Sequence, residues 1–364
     1  MSKSSRPSFG HALPRRRFLK TSAAALAAPA ILPSRAFANE ELNILVWCDH
    51  ADPKLIDPFA EQFGVTVNVK TYEGTGTAIS LLDQSGEGEW DVLVVDAPDV
   101  PQVAELGYLA ELPEDIAPWG DIFPQLTNAP WSKTDGKIYA VPEKFGYYGF
   151  CFNKDAVSVE DARRGDIAWN SDYAGRIAVY DYYFPVMQMI GISMGKTPAE
   201  LSTSDLPEIR ERLLAMKPNV KLVGDIVGVQ NALVTGSVDV IVGGAEFAVS
   251  GLVPTHPNLD WVISDQGGLI WNQGIGIVSG TGRLELATEF IKYILSPGGQ
   301  GALATSDCFW AMPASSAATL TPEQKTILRW DQQPEYLAKS QFSLLPDADM
   351  DFQMLDIWTE FLQS

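Results

Sequence analysis

Between Glu41 and Asp96 the chain alternates strand, helix, strand, helix and strand, and that order leaves few folds open. Glu41 to Trp47 reads as a strand. Asp52 and Pro53 then supply an N-cap and a first-turn proline. Leu55, Ile56, Phe59, Ala60 and Phe63 follow at spacings of three and four, and Gly64 stops the helix. Val65 to Tyr72 is a second strand and Ala78 to Leu82 a second helix. Trp90 to Val95 is a third strand, apolar throughout as a strand covered on both faces should be, and it ends at Asp96. The pattern predicts an α/β fold built on a mostly parallel, doubly wound sheet. In such sheets ligands sit beyond the carboxyl ends of the strands, here Trp47 to Asp49, Gly74 to Thr77 and Asp96 to Asp99.

The later chain predicts a second lobe. Val141 to Asn153 is an extended aromatic run that reads as the outward crossing. Ile177 to Tyr180 is a strand ending in Asp181, Tyr182 and Tyr183, and Val238 to Val242 is a buried strand ahead of Glu246. Asp265 to Gly280 reads as the returning strand. It sets Asn272 beside Gln273 in a buried segment, where polar side chains are costly unless something bonds to them, and a ligand is the expected partner. Helical segments follow over 284–295, 300–305 and 321–364. The predicted partition gives 39–146 and 274–318 to lobe 1, and 147–273 and 319–364 to lobe 2.

Residues 1–38 read as an export signal. Arg15, Arg16 and Arg17 precede Phe18-Leu19-Lys20, an apolar run over 21–32 and Ala36-Phe37-Ala38. The twin arginines resemble those of the bacterial route that exports folded proteins, with a cut expected after Ala38. Seven of the 26 basic residues and no acid lie in this segment, which leaves 19 basic against 46 acidic, a net charge of −27. Such a surface repels phosphates, so nucleic acid is excluded as a partner. The three cysteines are an odd number, so at least one thiol stays unpaired within the chain, and a disulfide framework is not expected to hold the fold.

Taken in order, these pieces resemble the spermidine/putrescine-binding branch of bacterial periplasmic solute-binding proteins, which feed ABC importers. The resemblance rests on residues 42–47, Phe59 to Val65 (FAEQFGV), residues 91–95, Gly136 to Pro142 (GKIYAVP) and Gly146 to Val157 (GYYGFCFNKDAV). It continues through 169–177, 267–271 and 308–314. It implies a two-lobed, type II-like periplasmic-binding-protein fold joined by crossing strands, ligand capture by hinge closure, and an inner-membrane permease as partner. Trp47 and Trp271 match two aromatic positions of the family's polyamine cage, and Cys48 a position beside the first. Gln273 stands where the family carries a carboxylate. The expected acidic pair falls near Tyr182 and Pro185, the remaining tryptophan near Val242 or Gly243, and the family's serine and tyrosine positions appear as Asp96 and Pro98.

The predicted ligand is a small polar organic solute bearing an amine. Trp47 and Trp271 would stack on it, and carboxylates among Asp49, Asp96, Asp181 and Glu246 would hold its charge. Thr75 and Gly76 open a helix whose free amides could instead take a carboxylate or phosphonate, with Asn272 and Gln273 beside them; this makes a small anion or zwitterion the rival ligand. Tyr182 and Tyr183 raise ferric ion as another candidate. Cys48 and His50 raise an enzyme reading, but no nucleophile elbow or zinc motif accompanies them, so neither catalysis nor a cofactor is expected.

Overall fold

In the computed structural model, Phe37 and residues 39–364 are described; Arg15 to Arg17, the apolar run over 21–32 and the cleavage position Ala38 lie outside them. The chain is two-lobed and α/β, with one sheet in each lobe. The strands are β1 (Glu41–Val46), β2 (Thr66–Thr71), β3 (Val92–Asp96), β4 (Val141–Tyr148), β5 (Phe150–Asn153) and β6 (Ile177–Tyr180). They continue as β7 (Val220–Gly224), β8 (Val240–Val242), β9 (Leu259–Val262), β10 (Leu269–Ile277), β11 (Met312–Pro313) and β12 (Gln341–Phe342). The larger sheet runs β11-β4-β10-β3-β1-β2 with β12 on β10, and the smaller runs β7-β6-β8-β5-β9.

Local chemistry places the first elements as the sequence implies. The Asp52 carboxylate accepts the Lys54 N–H at 2.9 Å, Pro53 opens helix α1 (Pro53–Phe63), and Gly64 closes it in the left-handed region at φ 69°. Helix α2 (Thr75–Gln84) begins three residues earlier than its apolar spacing suggests, because Gly74 at φ 75° turns the chain and frees Thr75 to start it. β1 pairs in parallel with β2 and β3, whereas β10 is antiparallel to both β3 and β4. One face of the larger sheet buries Leu42, Ile44, Val92 and Val94 against Phe59 and Phe290. The other buries Leu45, Leu93 and Val95 against Ala78 and Leu82 of α2.

The chain leaves the larger sheet at Gly149, between β4 and β5. A Cβ there would lie 2.5 Å from the Val262 carbonyl oxygen, so only glycine lets β9 pass so close. The return falls between β9 and β10, and Leu269 to Gln273 belongs to the larger sheet, ahead of the boundary expected at 273. A third passage follows β12: the helix Ala348–Gln363 buries Met350, Met354, Trp358 and Phe361 with Phe152 and Val179 of the smaller sheet.

One covalent tie was not anticipated. Cys48 and Cys308, 260 positions apart, form a disulfide with Cα atoms 6.0 Å apart, while Cys151 is free and buried. Both bonded residues are exposed, so Cys48 straps together two surface loops. A link closing so long a loop restricts the unfolded chain strongly, and its loss in Cys48→Ala/Cys308→Ala is expected to cost about 2–5 kcal/mol. Urea unfolding of oxidised protein against the double variant measures it; equal midpoints would contradict it.

Candidate functional site

Asp96 ends β3, and the antiparallel register sets it directly opposite Gln273 on β10. The Gln273 amide donates to the Asp96 carboxylate at 3.3 Å, and its own oxygen, on a side chain 3 % exposed, has no partner. Asp99 lies in the short turn that follows Asp96. Burial, then the Asp99 charge, raises the Asp96 carboxyl pKa to about 7, against the opposing pull of the Gln273 hydrogen bond. Asp99 is also raised by burial, while the Thr75 hydroxyl near it acts downward. Among the described residues no cation acts on either carboxyl.

Facing these carboxylates are tyrosines of both lobes: Tyr148 ends β4 of the larger sheet, Tyr180 ends β6 of the smaller one, and Tyr182 follows it. The Tyr182 ring meets Tyr148 at 6.0 Å, Tyr180 at 5.9 Å and Phe184 at 4.7 Å between centroids. Phe247 meets Tyr148 and Trp271, each at 6.0 Å. Burial is the first cause that raises the hydroxyl pKa of Tyr148, Tyr180 and Tyr182, and the Asp96 charge adds to it in all three. Asp96 is therefore close enough to act on Tyr180 and Tyr182 of the smaller lobe as well as on Tyr148 of its own sheet. On its own side Trp47 packs on Tyr72 at 5.8 Å, and Tyr72 donates its hydroxyl to the Val94 carbonyl. The indole N–H groups of Trp47 and Trp271 are both without partners.

Other candidates have different employment. Asp49 is fully buried and contacts the Lys144 ammonium. Its second oxygen lies 3.1 Å from His50 Nδ1, whose Nε2 lies 2.7 Å from Glu143. The sulfur of Cys48 is bonded to Cys308, so the nucleophile-and-base reading of Cys48 and His50 fails. Asp181, at the surface, accepts the Trp358 indole N–H at 2.7 Å. The Tyr183 hydroxyl donates to Asp351, away from Tyr182, so the two tyrosines do not converge on an ion. Among the described residues no group of three or more His, Cys, Asp or Glu side chains could hold a metal.

Glu246 is fully buried and accepts the Tyr147 N–H at 3.1 and 3.2 Å, which ties the second lobe to the crossing strand. Burial raises its pKa well above the ordinary range. Gly146 leaves room for it: a Cβ there would lie 1.7 Å from a Glu246 oxygen and 2.5 Å from the Trp271 ring. Asn272 is buried and unpartnered, one residue out of phase with Trp271 and Gln273, and so turned to the opposite face. Gly76 is exposed in the first turn of α2.

The structure therefore brings together Trp47, Thr75, Asp96, Tyr182, Trp271 and Gln273. It adds Tyr72, Asp99, Tyr180 and Phe247, which strand-end reasoning passed over, and Lys144. The signal for Lys144 was available, since Glu143 and Lys144 form a charged pair in an otherwise apolar and aromatic crossing strand.

Residues 54–331 match the family described as bacterial extracellular solute-binding protein. The chain is 25% identical over 265 residues to spermidine/putrescine-binding periplasmic protein 1 of Haemophilus influenzae, a match covering 71% of this chain and 72% of that one. Its fold is similar to that of the spermidine/putrescine ABC transporter substrate-binding protein PotD from Streptococcus pneumoniae, with a TM-score of 0.77 and 18% identity over 89% of this chain and 99% of that one. The PotD lipoprotein of Treponema pallidum is similar at a TM-score of 0.72 and 20% identity over 88% and 99%.

Proposed function

This chain belongs to the bacterial extracellular solute-binding proteins, and from that premise we propose that it captures a small amine-bearing organic solute between its lobes for an ABC permease. The observation that carries this reading is the pair Asp96 and Asp99, two carboxylates that meet no cation among the described residues, facing the rings of Tyr148, Tyr180 and Tyr182. A ligand ammonium supplies the missing charge. It accepts a charge-assisted hydrogen bond from neither acid but donates one to each within reach, and the ring faces of the tyrosines and of Trp47 and Trp271 attract it further.

Ligand contacts to both sheets are what favour the closed state, because a ligand shifts an equilibrium only by its difference in affinity for the two forms. The rival anion meets an obstacle at the start of α2. Thr75 opens that helix with its hydroxyl near Asp99, so a carboxylate already stands where the anion would have to sit. The twin arginines and the small residues before Asn39 extend the reading to export into the periplasm by the twin-arginine route. A mature N-terminus other than Asn39, found by sequencing the periplasmic protein, would refute the cleavage site.

A thermal-shift series at pH 8 tests the ligand class, using amines, simple carboxylates and phosphonates on the mature protein. An amine at about a hundred times its dissociation constant is expected to stabilise the protein by about 2.7 kcal/mol. Stabilisation by amine-free anions, with none by amines, would reject the proposal.

A further inference from the structure

The amine reading leaves a buried cation unused. Lys144 is 1 % exposed and stands on β4 directly opposite Gln273 on β10, which in turn stands directly opposite Asp96 on β3. Residues directly opposite one another across a sheet point to the same face. A carboxylate, an amide and an ammonium thus form one row, whose ends are roughly 10 Å apart at two strand spacings.

The two ends of the row lack opposite things. At Asp96 and Asp99 there are acceptors that meet no cation among the described residues. At Lys144 there are donors to spare: an ammonium carries three N–H groups, Asp49 is its one carboxylate partner, and the indole N–H of neighbouring Trp271 is unpartnered. The Lys144 nitrogen lies 4.4 Å from the Phe309 ring centroid and 5.9 Å from that of Trp271, so it is held at the foot of the aromatic wall. Glu143, the extra residue where the β4–β10 register shifts, directs its carboxylate to His50 instead.

We propose that the solute is bipolar, an ω-amino acid whose ammonium sits at Asp96 and Asp99 and whose carboxylate reaches Lys144 and the Trp271 N–H. Lys144 is then the residue that sets specificity, since the second ammonium of a diamine would be brought toward a fixed cation and an N–H donor. This rests on the amine reading of the cleft and narrows it.

Calorimetric titration at pH 8 with ω-amino acids, α,ω-diamines and n-alkylamines of three to six carbons tests it. The best ω-amino acid is expected to bind at least about tenfold more tightly than the diamine and the alkylamine of the same length, the worth of one charge-assisted hydrogen bond. Lys144→Met should erase that advantage, so that the ω-amino acid binds no more tightly than the alkylamine of the same length. Should that variant fail to fold with Asp49 unpaired, Lys144→Met/Asp49→Asn removes both charges, and the wild-type ranking needs no variant at all. Diamines binding as tightly as ω-amino acids would overturn this proposal and leave the amine reading intact. No binding by any amine-bearing compound would overturn both.

Discussion

Asp96→Asn is expected to stabilise the ligand-free protein above pH 7 and to remove most of its affinity for amines. The carboxyl of Asp96 has its pKa raised from 3.8 to about 7, first by burial and then by Asp99. An acid raised on folding holds its proton more tightly in the native than in the unfolded state. Stability therefore falls as pH rises from about 4 to about 7, and above that the whole penalty is present. A shift of this size corresponds to at most about 4 kcal/mol, and partial solvent access at the cleft reduces it to roughly 1–3 kcal/mol. The amide of Asn carries no charge to desolvate, so urea unfolding at pH 8 should show a gain of that order, and at pH 4 almost none. Amine affinity should fall roughly ten- to a hundredfold with the loss of one hydrogen bond to a charged group. A variant that is less stable at pH 8, or that binds amines as before, would contradict this assignment.

The opposite result is expected at Asp49, although it lies just past the end of β1 in the same sheet. Asp49 is the carboxylate partner of buried Lys144, and Asp49→Ala strands that ammonium, at a cost of about 3–5 kcal/mol. Burial pulls the Lys144 pKa well below 10.5, and without Asp49 nothing offsets it. A base depressed on folding binds fewer protons in the native state than in the unfolded one. The variant should therefore recover stability as pH rises toward 10.5. Unfolding at pH 6 and pH 9 measures both effects, and adding Lys144→Met should return most of the loss because no unpaired charge then remains. A loss under about 1 kcal/mol, independent of pH, would show that Asp49 is not the counter-ion.

These two acids mark the boundary of what was legible in the sequence. The cap at Asp52, the stop at Gly64 and the strand Ile177–Tyr180 follow from spacing and local chemistry. Position at a strand end was equally visible for Asp49, Asp96 and Asp181. Their fates differ because Lys144, Gln273 and Trp358 reach them from 95, 177 and 177 positions away. Such meetings depend on sheet order and register, which no local pattern encodes. Register also separates Gln273, at the cleft, from Asn272, one residue out of phase. The odd cysteine count was compatible with any one pairing, and only the approach of the loops after β1 and before β11 selects Cys48 with Cys308.

The central claim is that an ionised Asp96 receives a ligand ammonium, and proton linkage tests it most directly. Calorimetric titration of an amine near pH 7, repeated in buffers of different ionisation enthalpy, reports protons gained or lost on binding. Binding must release protons, because burial raises the Asp96 carboxyl pKa to about 7 and the ammonium selects its ionised form. Affinity must also fall about tenfold per pH unit below that value. Proton uptake, or an affinity unchanged between pH 5 and pH 8, would contradict it.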